Sequence, residues 1–514
     1  MIAAREDQPG GQIPSGARAA SRSASLLSVQ IVLTTFIVFG VPFALFYRLI
    51  LFHFYVRGGF LIDTGLLGSL MWHNTFALTM PASLGGQSFF ATHVTPLLSL
   101  VSAASFLLPV TMPQMFAAFI GLCHGLLASA MFWLLVEGHG MWRGQGLALA
   151  ALASVAFAFN GLALSIARYP HFEIFAAACL LLFFVALVLE NRAIAIVSFA
   201  LALFTREDVG LHAFGFLTVW FGLNWLRGEG EKPLSGLNTQ LAGFAMAGLA
   251  YSSMALLLQH WAFPGSSSFV RIYLGEPTLS HVSPKLLTMR VFAWIMMHSA
   301  VFLPAAAILI WAERTREPFI IAGYVACIPW ALLHLIAVSD HAGWMVGYYT
   351  FPFLVALAWP LLAGVRLADQ APAETFKPAL QVMGLVGLTL LPLGQDYDPG
   401  KIPLPGAFLH APSADQERQT DRAIDAIAAA RPVLGRLVVD RSVAGLAPLS
   451  FARAEIAGWD EAPANTVVFL EDGFDSQRLR ALPDLPTHFA VPGSEVRIMT
   501  DRPESILREI GLSH

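Results

Sequence analysis

The chain has 514 residues, 56% of them hydrophobic and only 12% charged, with a mean hydropathy of +0.65. An ordinary soluble domain is about a quarter charged, so this chain cannot clothe a globular surface, and its long apolar runs read as membrane spans. The net charge of -4 is too small to imply a nucleic-acid partner, and Cys123, Cys179 and Cys327 all sit in apolar runs, which supports neither a disulfide framework nor a thiolate metal site.

In chain order, residues 1–25 are polar, rich in Gly, Ser and Ala, and carry Arg5, Arg18 and Arg22. That composition predicts a disordered cytoplasmic N-terminus. No small-residue cleavage site follows the first apolar run, which is expected to be retained as a span. Runs of span length fall at 27–51, 114–136, 145–167, 174–189, 193–205, 209–226, 239–262, 290–311, 318–338, 344–365 and 377–393, eleven in all. They predict an all-α polytopic membrane domain over 26–394, with residues 52–113 as its first outer loop. The run 193–205 is short, and its end at Arg206, Glu207 and Asp208 suggests a helix that stops below the membrane surface in a water-filled recess.

Residues 94–110 read differently. Thr95, Ser99, Ser102 and Ser105 recur at spacings of three and four, which places them on one helical face. Pro96 suits a first helical turn, and Pro109 and Pro113 end it. This predicts a helix lying in the interface plane rather than crossing. With the N-terminus inside, the inner segments carry Arg5, Arg18, Arg22, Arg143, Arg192, Arg227, Lys232, Arg314, Arg316, Arg366 and Lys377. The outer loops carry Arg57, Arg168, Arg206, Arg271, Lys285 and Arg290. That excess of inner basic residues fixes the orientation. Residues 395–514 then fall outside. Charge returns there to ordinary density, with a helical stretch near 415–430 and strand-like runs at 436–440 and 466–471, the pattern of a small α/β extracytoplasmic domain.

The same topology gathers the unusual polar residues on one side: Asp63, His73, Asn74 and His93; Arg168, Tyr169, His171 and Glu173; Arg206, Glu207 and Asp208; Arg271, Tyr273, Glu276, His281, Lys285 and Arg290; then Asp340 and His341, with Tyr348 and Tyr349 just beyond. Ionisable groups at membrane depth are costly and mark functional candidates. Plainer readings stand beside this one. Asp63 precedes an apolar helix and suits an N-cap, Arg206 with Glu207 and Asp208 suits a neutralised structural cluster, and His93, His171 and Glu173 suit interfacial loop residues. Chemically, an outer carboxylate can act as general base on a hydroxyl, and Arg or Lys can hold a lipid phosphate as its charge develops. Carboxylates with histidines can also bind a divalent cation such as Mg or Mn that bridges the phosphate. No ligand spacing here marks a metal site, and no cofactor is specified.

The pieces DTGLLGSLMWHN (63–74), SFFATHVTPLLSL (88–100), RYPHFEIFAAACLL (168–181), LFTREDVGLHAFGF (203–216) and HAGWMVGYYTFPFLVALA (341–358) resemble, in order, an uncharacterised bacterial membrane family, domain of unknown function 2079. That family is similar to the GT-C superfamily of membrane glycosyltransferases. The resemblance covers about residues 30–365, and the tail is similar to the outer α/β tails of such proteins. It implies short juxtamembrane helices in the first outer loop and Asp63 as catalytic base. His93 matches a His-Pro-like pattern, Pro170, His171 and Glu173 a Phe-His-Pro-Glu-like one, and Arg206, Glu207 and Asp208 a Lys-Glu-Asp one. The order here is PHFE rather than HPE, arginine replaces lysine, and no paired aspartates surround Asp63.

The function expected from residues and resemblance together is transfer of a sugar from a polyprenyl-phosphate donor to a lipid or glycan acceptor. It takes place at the outer face of the cytoplasmic membrane. Asp63, Glu207 and Asp208 are the catalytic candidates, and His93, His171, Glu173, Arg206, Arg271 and Lys285 would bind substrate. The alternatives are a lipid or small-molecule flippase, against which no internal repeat is visible, and a non-catalytic membrane assembly protein.

Overall fold

The computed structural model describes residues 15–57, 61–227, 236–264, 270–345, 347–366, 411–456, 464–473, 485, 487–502 and 511. The expected span 377–393 lies outside them. The first helix, α1 (Ser15–Phe52), begins inside the stretch expected to be disordered. A wide helical turn, Leu61–Gly65, carries Asp63 and leads into α2 (Leu66–Met71). Next come α3 (Pro96–Ser105), α4 (Met112–Trp133), α5 (Gly144–Ala158), α6 (Gly161–Arg168), α7 (Glu173–Val188) and α8 (Arg192–Leu203). The bundle is completed by α9 (Val209–Leu226), α10 (Gly236–Ala262), α11 (Pro284–Met297), α12 (Ser299–Thr315), α13 (Ala322–Leu335), α14 (Asp340–Gly343) and α15 (Phe351–Arg366).

Among the described residues seven helices are long and apolar enough to cross a membrane, or eight if one bent pair is a single span. By this measure the described residues account for seven or eight of the eleven expected crossings. The expected spans 174–189 and 193–205 are realised as α7 and α8, apolar helices of 16 and 12 residues. Helix α7 is apolar on every side and buried along almost its whole length, as befits a central pillar enclosed by protein rather than lipid. The expected straight span 290–311 is instead the pair α11 and α12, bent by 84°. Pro304 lies inside α12; a proline removes one ladder bond and crowds the carbonyl four residues back, which places the break at the start of that helix. His298 pins the bend, its Nε2 lying 2.6 Å from the Trp344 carbonyl. Helices α9 and α10 approach closely at Gly210, where a methyl group would sit 2.2 Å from the Gly248 carbonyl oxygen. Small residues permit that approach.

The serine stripe of α3 does share one face, but that face meets protein rather than the interface. Ser102 Oγ accepts the Asn74 N–H and donates to the Asn74 carbonyl, Ser105 Oγ accepts the His73 N–H, and Ser99 Oγ donates to the Phe76 carbonyl. Leu100 within the helix, and Phe106, Leu107 and Leu108 just beyond it, are exposed. The helix is thus held to residues 73–76 by its polar side.

The tail forms α16 (Ala414–Ala429), α17 (Arg431–Leu434), β1 (Leu437–Val439), α18 (Arg441–Leu446), β2 (Thr466–Leu470), β3 (Thr487–Ala490) and β4 (Val496–Thr500). Its sheet has the order β1-β2-β4-β3, parallel between β1 and β2 and antiparallel elsewhere. The expected helix and first two strands fall where the pattern put them, whereas β3 and β4 escaped it. The tail packs at the Asp63 end of the bundle, where Ser83 Oγ donates to the Pro448 carbonyl at 3.2 Å. Arg366 ends α15 at the opposite end, near the turn after α4, where His139 Nε2 lies 3.0 Å from the Leu361 carbonyl.

Candidate active site

Three breaks between helices meet at one end of the bundle. Asn160 caps α6 by accepting from the Leu162 and Ala163 N–H groups. Pro170 then prevents the helix from continuing. The connector 169–172 delivers Glu173 to the first turn of α7, where a carboxylate suits the positive helix end. Helix α8 stops at Leu203, and residues 204–208 turn the chain into α9. This turn also seats α3: the Phe204 carbonyl accepts the Leu97 N–H at 2.9 Å. Both oxygens of Glu207 are taken as well, Oε2 by the Val94 N–H and Oε1 by His93 Nδ1, each at 2.9 Å.

Arg206 is the hub. It donates from Nε to Asp208 Oδ1 at 2.7 Å, from NH2 to Asp208 Oδ2, and from NH1 to Glu173 Oε1 at 2.5 Å. The Trp330 ring lies 6.0 Å from its Cζ. Burial raises the Asp208 carboxyl, but the guanidinium bonded to it outweighs that and holds it at about 2. The other oxygen of Glu173 accepts from His171 Nδ1. Burial, the neighbouring His93 and the Arg206 charge push His171 well below its ordinary value, so the ring is neutral. Since a carboxylate only accepts, Nδ1 carries the proton, and Nε2 turns a lone pair toward Asp63 Oδ1, 3.9 Å away. Tyr348 stacks on this imidazole at 3.9 Å between ring centres.

Asp63 differs from the other acids. Its side chain is 14% exposed, against 0% for Glu173, 5% for Asp208 and 8% for Glu207. Its Oδ2 accepts from the Tyr169 hydroxyl. Burial pushes its carboxyl up to about 6, opposed by that hydroxyl and by His341. It does not cap α2: the cap position belongs to Gly65, with no side-chain bond.

Several expectations change here. Arg206, Glu207 and Asp208 are buried, not set in a water-filled recess. Arg206 turns three of its donors to the carboxylates of Asp208 and Glu173. Lys285 is exposed in the first turn of α11, while the Arg271 side chain lies outside the described residues. Among the described residues no group of three or more His, Cys, Asp or Glu could hold a metal ion. The donors explain this, because Glu173 and Asp208 answer Arg206 and Glu207 answers His93 and Val94. The set does not fit a divalent cation. Tyr169 and Tyr348, which the sequence places near the cluster without a role, touch Asp63 and His171 directly. Their adjacency to PHFE and to the start of α15 was the signal available.

Fold and site together define a polytopic membrane protein with a small mixed-sheet domain and a buried acid, histidine and arginine network at the tail-bearing end. No family model matches the sequence, domain of unknown function 2079 included, and no curated protein matches it. Among the solved structures similar to the chain are two of ArnT from Cupriavidus metallidurans. The one bound to undecaprenyl phosphate has a TM-score of 0.45 at 14% identity, covering 92% of this chain and 97% of its own. The apo form has a TM-score of 0.47 at 14% identity, covering 96% and 99%. At this distance the chemistry has to be read from the chain's own side chains.

Proposed function

We propose that the chain is a GT-C-type membrane glycosyltransferase that moves a sugar from a polyprenyl-phosphate donor to a lipid or glycan hydroxyl at the outer face of the cytoplasmic membrane. The observation that carries this reading is the state of Asp63. It is the partly open carboxylate of the network, its basicity is raised into the range useful for proton abstraction near neutrality, and the other acids are committed to bonds that hold it in place. In the reaction Asp63 takes the proton of the acceptor hydroxyl. The acceptor oxygen bonds to the anomeric carbon, and the carbon–oxygen bond to phosphate breaks with its electrons leaving on the polyprenyl phosphate. The anomeric configuration inverts. His171, held by Glu173 and Arg206, keeps a neutral wall beside Asp63, so Glu173, Glu207 and Asp208 act as positioning residues. Asp63→Asn keeps size and the Tyr169 contact but cannot accept the proton. It should lower transfer from a polyprenyl-phosphate sugar by about a thousandfold or more, within the usual range for losing a general base, while membrane expression stays normal. Transfer at the wild-type rate by this variant would remove Asp63 from the chemistry.

A further inference from the structure

The turn that bears Asp63 is not held by the membrane bundle alone. A methyl group on Gly65 would stand 2.9 Å from both the Cα and the carbonyl oxygen of Gly445 in α18, so the two backbones touch with no side chain between them. Polar contacts flank this point. The Tyr55 hydroxyl donates to Asp421 Oδ1 at 3.1 Å, Gln114 Nε2 donates to Glu417 Oε2 at 2.8 Å, and Ser83 Oγ donates to the Pro448 carbonyl. Tyr55 lies in the turn that ends the first span, Gln114 opens α4, and Ser83 belongs to the first loop. The tail therefore grips the elements on each side of the Asp63 turn as well as the turn itself. Helix α18 is buried from Ser442 to Leu446, as a wedge between two bodies would be.

We propose that the C-terminal domain is a positioning element of the active site, with α18 as the stop against which the Asp63 turn is set. This rests on Asp63 being the reactive group. A five-residue turn has few contacts of its own, and displacement of a catalytic group by about 1 Å costs on the order of a hundredfold in rate. Removing the tail would also hydrate the carboxylate whose burial raises its basicity.

The test uses the full chain in membranes with two reporters in separate backgrounds. A Ser83→Cys, Pro448→Cys pair reads tail docking by disulfide formation. Asp63→Cys reads exposure of the turn by its rate of reaction with a water-soluble maleimide; the three native cysteines are buried. Gly65→Ala should drive the contact apart, giving loss of the cross-link, faster labelling at position 63 and, in the chain that keeps Asp63, about a hundredfold slower transfer. The double variant Tyr55→Phe, Gln114→Ala loosens the tail without touching the turn, and all three readouts should move the same way. Unchanged labelling at 63 after the cross-link is lost, or normal transfer with the tail displaced, overturns the proposal. Labelling that follows the cross-link in a chain that never transfers sugar would uphold the positioning relation and remove only the enzymatic reading.

Discussion

Arg206 stands as one buried cation among Glu173, Asp208 and, through the turn, Glu207. Two carboxylates satisfy its donors directly, which is how such a charge survives removal from water. Burial is what makes Asp63 reluctant to ionise, and the Tyr169 hydroxyl and His341 oppose it. Only ionised Asp63 can take a proton, so transfer should be low in acid and rise through pH about 6 to a plateau. Because the Tyr169 hydroxyl favours the carboxylate, Tyr169→Phe should move this limb to higher pH, and the profile of kcat/KM against pH measures it. A limb that stays in place or moves toward acid would show that Tyr169 does not govern the ionisation of Asp63.

Helix α3 shows the same dependence of one group on another across elements. Its N-terminal end hangs on the turn after α8, through the Leu97 N–H and the Glu207 carboxylate, and its serine face hangs on residues 73–76. Ser102 Oγ serves both the N–H and the carbonyl of Asn74. Ser102→Ala leaves two backbone groups short of a partner and should cost about 1–3 kcal/mol, seen as a lower midpoint of thermal unfolding in detergent. Leu107, 85% exposed at the end of this helix, should tolerate replacement by Ala in the same assay. Equal midpoints for wild type and Ser102→Ala would mean that water replaces the serine and that the stripe does not fasten the loop.

At the scale of the whole molecule, the tail and the bundle meet through acids. Burial pushes Asp421 up to about 6 from an ordinary value of 3.8, and it raises Glu417 as well. The docked form therefore binds protons that the undocked form would release. Docking is favoured at low pH, weakens as pH rises through the interval from about 4 to about 6, and is flat above it. Spin labels at exposed positions 107 and 418 should report a narrow distance distribution at pH 5 that broadens by pH 7.5. In the double variant Asp421→Asn, Glu417→Gln, which stays neutral at both positions, the distribution should not change with pH. Persistent pH dependence in that variant would place the titrating group elsewhere.

The apolar runs declared the membrane helices because a span must satisfy its backbone within itself and needs only length and composition to do so. The helix at 414–429 and the strands at 437–439 and 466–470 were legible for a similar reason, since their periodicity is local. The sequence grouped Asp63, His93, His171, Glu173 and Arg206 by a count of eleven crossings, whereas in the structure they meet through contacts between chain breaks. What the tertiary structure decided was pairing. Asp208 and Glu173 go to Arg206, Glu207 to His93 and Val94, and Asp63 alone stays partly open. The serines of α3 turn inward, α11 and α12 break, and Gly65 meets Gly445. Each of these depends on distances between residues far apart in the chain, and spacing along a sequence carries no record of which partner a side chain will reach.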